Sequence, residues 1–126
     1  TGRPQVVRAV LDGIAAQIAE LADLTHGELG TSLTSLRVDG GLTRCRTLMQ
    51  IQSDLLQAPL ETYPSQHATA LGTAACMRLA LHPELALEQG PYVWESGEVY
   101  RPQRPAEEVA AQRSAWRTAV ESTIGL

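Results

Sequence analysis

Leu36-Arg37-Val38-Asp39-Gly40-Gly41, followed by Leu48, Ile51 and Leu55, is the stretch that decides the fold of this chain. Leu36 and Val38 alternate with Ser35 and Arg37, the period of a short strand. Asp39-Gly40-Gly41 breaks that strand. Leu48, Ile51 and Leu55 stand at i, i+3 and i+7 and predict a helix from about Thr43 to Leu56, which Ala58-Pro59 stops. Leu60 to Tyr63 reads as a second short strand, with Pro59 tolerated at its start. Strand, helix, strand in that order implies a parallel crossover.

Outward from this unit the pattern stays helical. Val7, Val10, Leu11, Ile14, Ile18 and Leu21 share one face of a helix predicted from Pro4 to Leu24, ending at His26-Gly27. Gly13 lies inside it, a residue that often marks close approach of another backbone. A third helix is expected from His67 to Leu81, opened by the small residues Ala68-Thr69-Ala70-Leu71-Gly72-Thr73-Ala74-Ala75 and ended by Pro83. Residues 84–104, with Gly90-Pro91 and Gly97, read as irregular. A last helix is predicted from Pro105 to Thr123, with Val109, Ala115 or Trp116, and Val120 as its apolar face. The fold class is therefore α/β, in the order α-β-α-β-α plus a C-terminal helix. Two strands fall short of the roughly five or six of an ordinary sheet, so by this count the sheet is incomplete.

Composition narrows the function. A chain of 126 residues is about one domain. The net charge of −4 argues against a nucleic-acid partner, because phosphate contacts need a basic surface. No apolar run approaches the ~20 residues that span a bilayer. Cys45 and Cys76 have no metal-ligand spacing and read as buried or free thiols of a reducing cytoplasm.

Few residues carry chemistry. A glycine pair after a parallel strand lets a ligand approach the backbone, and ligands of open α/β sheets bind at the C-terminal strand ends. The same residues also make a tight turn with no ligand. Asp39 either orients that turn or reaches a ribose hydroxyl. Arg44 and Arg46 either touch phosphates or lie on a solvated helix face. Asp12 reads as a solvated or capping carboxylate. His26, His67 and His82 each sit beside a helix end, and Trp94 and Trp116 read as packing anchors.

The ordered set of motifs resembles the FGGY family of carbohydrate kinases, which includes glycerol kinase and xylulokinase. Gln5 to Ala15 is similar to the second half of the family signature, whose helix reads RAVLEGIAF. Leu36 to Gly41 is similar to its LRVDGG, Leu48 to Leu56 to LMQFQADIL, Pro59 to Glu61 to PVE, and Thr69 to Ala75 to TALGAA. Tyr100-Arg101-Pro102 and Trp116 fall where glycerol kinases carry F-x-P and a late Trp. The resemblance covers nearly the whole chain.

That resemblance implies part of an actin-like (ribonuclease H-like) ATPase domain whose first strands are missing. The chain would be a C-terminal kinase fragment over 1–126, with an α/β core over 1–83, an irregular segment over 84–104 and a C-terminal helix over 105–126. The parent would transfer the γ-phosphate of MgATP to a sugar or polyol hydroxyl in the cytoplasm. Its catalytic base and phosphate-binding turns would belong to an N-terminal domain of the same protein, so the fragment alone would be inactive. Its uncovered edges would self-associate. Asp39, Gly40, Gly41, Arg44 and Cys45 would form the adenosine-side wall of the ATP site, with Mg²⁺ arriving on the nucleotide. Glycerol kinases commonly carry an Asn where Cys45 stands, and a thiol does not reproduce the amide's two-way hydrogen bonding. The alternative is a non-enzymatic nucleotide-binding or oligomerisation module that reuses this half-domain.

Overall fold

A computed structural model describes residues 1–84 and 94–125. Four helices and three short strands occupy them: α1 (Arg3–Leu29), β1 (Leu36–Val38), α2 (Arg46–Leu56), β2 (Leu60–Thr62), α3 (Ala68–Leu81), β3 (Val99–Tyr100) and α4 (Ala106–Ile124). The α-β-α-β-α order and the closing helix are those expected. β1 and β2 pair in parallel, Leu36 opposite Leu60 and Val38 opposite Thr62. The expected Thr43 start of α2 gives way to a short 3-10 turn over Gly41–Arg44, and the helix proper begins at Arg46.

The segment expected to be irregular contributes a third strand. β3 runs antiparallel to β2, with Leu60 opposite Tyr100 and Glu61 opposite Val99. Thr62 N–H donates to Glu98 O at 2.9 Å and Gly97 N–H donates to Thr62 O at 2.7 Å, which extends the pairing past the strand end. Gly90-Pro91 lies outside the described residues. The sheet order is β1-β2-β3, so the outer edge of β1 has no partner among the described residues.

The first helix departs from expectation in three ways. It runs through Gly27 to Leu29 and ends at Gly30, whose left-handed φ of 64° lets its N–H close on His26 O at 2.8 Å. Its buried face is not the Val and Leu stripe but Ala15, Ala16 and Ala19, with Leu11 and Ile14 half-buried beside them. Alanines bring α1 close to α2, where Gln52 Nε2 donates to Ala15 O at 3.2 Å. Val7, Val10 and Leu21 stay more than half exposed. Gly13 marks no close approach, since a Cβ there would meet nothing within 4 Å.

The core gathers around α2. Leu48, Met49, Ile51 and Leu55 are buried together with Leu60, Tyr100 and Val109. Buried polar groups there are paired, as burial demands. Ser53 Oγ is within hydrogen-bond distance of both Ala58 O (2.9 Å) and Tyr100 O (3.1 Å), and Asp54 Oδ1 accepts from Gln103 N at 2.7 Å. Helix α4 packs through Val109 and a half-buried Trp116, not the exposed Ala115. Arg113 and Arg117 then lash α4 to α1. Arg113 donates to Glu20 at 2.8 Å and Asp23 at 2.6 Å, and Arg117 donates to Glu20 at 2.7 Å. Helix α3 buries none of its residues. No helix among the described residues is long and apolar enough to cross a membrane.

Candidate functional site

The five residues singled out in the sequence lie together in the turn from β1 to α2. Asp39 follows the C-terminal end of β1, and Gly40 takes φ 99° and ψ 179°, a conformation nearly reserved for glycine. Gly41 opens the 3-10 turn, which Thr43 closes by donating from N (3.2 Å) and Oγ1 (2.7 Å) to Gly40 O. A Cβ built on Gly40 or on Gly41 would meet nothing within 4 Å. The surface above both glycines is therefore open to an approaching molecule.

The side chains after the glycines differ in what they do. Cys45 is half-buried and packs against the core, so its thiol belongs to the interior rather than the turn's outer face. Arg46 pairs with Glu98 at 3.0 Å, on the β3 side. Arg44 is exposed and donates from Nη2 to Gln66 Oε1, in the loop between β2 and α3.

Beside Asp39 lies a recess of about 270 Å³, lined by Arg37, Val38, Tyr63, Leu71, Gly72 and Trp94 among others. The Arg37 guanidinium lies 4.7 Å from the centre of the Trp94 ring, and Tyr63 packs on Trp94 with centroids 5.3 Å apart. Trp94 Nε1 donates to Glu61 at 2.9 Å and Ser96 Oγ donates to the same carboxylate oxygen at 2.6 Å. Those two bonds, Ser96's first, hold the Glu61 carboxyl below the usual carboxylate range. Sequence reading did not assemble this cluster, because its members come from four separate segments. The signal available was Tyr63 and Trp94 themselves, two of the few aromatics in a chain with 4% of them.

The other candidates resolve simply. Asp12 pairs with Arg8 at 3.0 Å along α1. His26 lies in the last turn of α1, and His67 and His82 cap the two ends of α3. Cys76 is exposed and both thiols are free. Among the described residues no three His, Cys, Asp or Glu side chains come close enough to hold a metal ion.

Comparison with known proteins gives this geometry its setting. The model of the FGGY family of carbohydrate kinases, C-terminal domain, matches residues 1–81. A glycerol kinase of Bordetella parapertussis is 38% identical over 125 residues, which are 99% of this chain and 25% of that protein. A glycerol kinase of Rhodopirellula baltica is 36% identical over 121 residues, 96% of this chain and 22% of its own length. Among solved structures, Plasmodium falciparum glycerol kinase with ADP superposes with a TM-score of 0.81 at 30% identity, over 98% of this chain and 25% of that one. The xylulose kinase of Rhodospirillum rubrum shares the fold, with a TM-score of 0.75 at 22% identity over 99% of this chain and 25% of its own. The chain thus spans about a quarter of the length of the curated relatives it matches.

Proposed function

Because the chain belongs to the FGGY family of carbohydrate kinases, matching its C-terminal domain, we propose that it supplies the nucleotide-side wall of an ATP-dependent kinase acting on a sugar or polyol hydroxyl. One observation supports this above the others. Gly40 and Gly41 sit at the C-terminal end of a parallel strand, with open space where their side chains would be. That is where open α/β sheets take their ligands.

In this reading Gly40 and Gly41 let the nucleotide lie against the backbone near its ribose and α-phosphate. Asp39 holds the start of the turn, and Thr43 fixes its closure. When bound, MgATP supplies the transferable phosphoryl group, and its Mg²⁺ neutralises phosphate charge. Mg²⁺ would arrive on the nucleotide phosphates, and an N-terminal kinase domain would contribute further groups around it. The base that takes the acceptor's proton comes from that domain too. The 126-residue chain alone is accordingly inactive, and its natural partner is the N-terminal domain, in the cytoplasm. Alone, it self-associates through the exposed stripe of Val6, Val7, Val10, Leu21 and Leu24.

Calorimetric titration of the chain with MgADP, repeated on Gly41→Val, tests the nucleotide reading. Binding to the parent that is lost in the variant is expected. Equal binding by both would sink it. Phosphorylation of glycerol by the chain alone would overturn the division of labour between domains. A single monomer peak in size-exclusion chromatography at high concentration would overturn the self-association.

A further inference from the structure

We infer that Arg44, held by Gln66, is the side chain of this turn that meets a phosphate of the bound nucleotide, and that Gln66 is its positioning residue. The inference rests on the nucleotide reading above and narrows it to one cation.

Four residues follow the glycine pair with polar, charged or thiol side chains, and three are committed elsewhere. Thr43 Oγ1 donates to Gly40 O at 2.7 Å. Cys45 packs into the core. Arg46 is paired with Glu98 at 3.0 Å. Arg44 remains, exposed beside the open glycine surface.

The chemistry of its tether is the informative part. Gln66 accepts one N–H from Arg44 Nη2 with a neutral amide oxygen. A carboxylate there would fix the side chain and also cancel its charge. An amide fixes the direction and leaves the charge whole. A guanidinium carries five N–H donors in a planar fork suited to phosphate oxygens, so a single tether leaves the fork usable. The tether also runs from the turn after β1 to the loop after β2, so the ends of both parallel strands set where the cation stands. Cys45, the next residue, packs against the core and leaves the outer face of the turn to Arg44.

The test is calorimetric titration of the full chain with MgADP and, separately, with adenosine. Arg44→Ala is expected to weaken ADP about tenfold and to leave adenosine unchanged, since only the phosphates see the cation. Gln66→Ala is expected to weaken ADP severalfold in the parent and not at all in the Arg44→Ala background. Arg46→Ala leaves ADP affinity as it was. Equal loss of ADP and adenosine in Arg44→Ala would mean a structural role and overturn the inference. ADP binding indifferent to Arg44 would overturn it while leaving the nucleotide site standing. A parent chain that binds neither ligand would overturn both.

Discussion

The two adjacent glycines of the β1–α2 turn separate folding from binding. Gly40 has φ 99° and ψ 179°, and a Cβ there would touch nothing within 4 Å. Gly40→Ala therefore introduces no clash; its whole cost is backbone conformation. A non-glycine residue held in that region costs about 1–3 kcal/mol. For a chain of this size each kcal/mol lowers Tm by about 3–5 °C. Gly41 has the same empty surroundings and no positive φ, so Gly41→Ala should stay within about 0.5 kcal/mol of the parent. Its added methyl group instead stands where the nucleotide is proposed to lie. Urea unfolding followed by circular dichroism gives the first quantity, and MgADP titration the second. Gly40→Ala should lose stability with an unchanged denaturant slope. Gly41→Ala should keep its stability and lose affinity. Equal stability of Gly40→Ala and parent would refute the conformational argument, and a Gly41→Ala as destabilised as Gly40→Ala would show that the turn does not have the described shape.

Two further outcomes follow from the packing and the charges. Gly97→Ala places a Cβ 3.0 Å from Thr62 Oγ1 and 3.1 Å from Thr62 O, so it should cost about 1–3 kcal/mol by overpacking, read as a lower urea midpoint; an unchanged midpoint would contradict the close β2–β3 approach. Glu20 has its pKa lowered from 4.5, first by the hydrogen bond from Arg117 and then, against burial, by Arg113. Its unfolded form binds protons more readily, so the α1–α4 contact stabilises the fold above about pH 4.5 and that stability is lost as pH falls through the lowered folded value. Glu20→Gln should thus be less stable than the parent near neutral pH, with the gap closing in acid; a gap independent of pH would refute the pairing.

Much of the central unit was legible because its signals are local. The alternation of Leu36 and Val38, the breaking glycines, and the i, i+3, i+7 spacing of Leu48, Ile51 and Leu55 each need only neighbours in sequence. The break at Asp39-Gly40-Gly41 was legible for the same reason, whereas the 3-10 turn that replaces the expected helix start at Thr43 was not. What stayed hidden depends on partners. Two residues, Val99 and Tyr100, are too few to show a period, and β3 exists because β2 offers its edge. The buried stripe of α1 is alanine, which weighs little in an apolar pattern beside Val and Leu; close packing on α2 selects it. Arg44 and Arg46 looked equivalent in the sequence and part company only because Glu98 and Gln66 stand on different loops.

The pairing of α4 with α1 also bears on how the chain acquires its fold. Glu20 and Arg113 are 93 positions apart, so the charged clasp between α1 and α4 cannot close until the β1-α2-β2 unit and α3 between them have been made. Loop-closure entropy makes such distant contacts late and slow to form. Helix α1 is made before α4, so the side that Arg113 and Arg117 lash stays unpaired until α4 has followed.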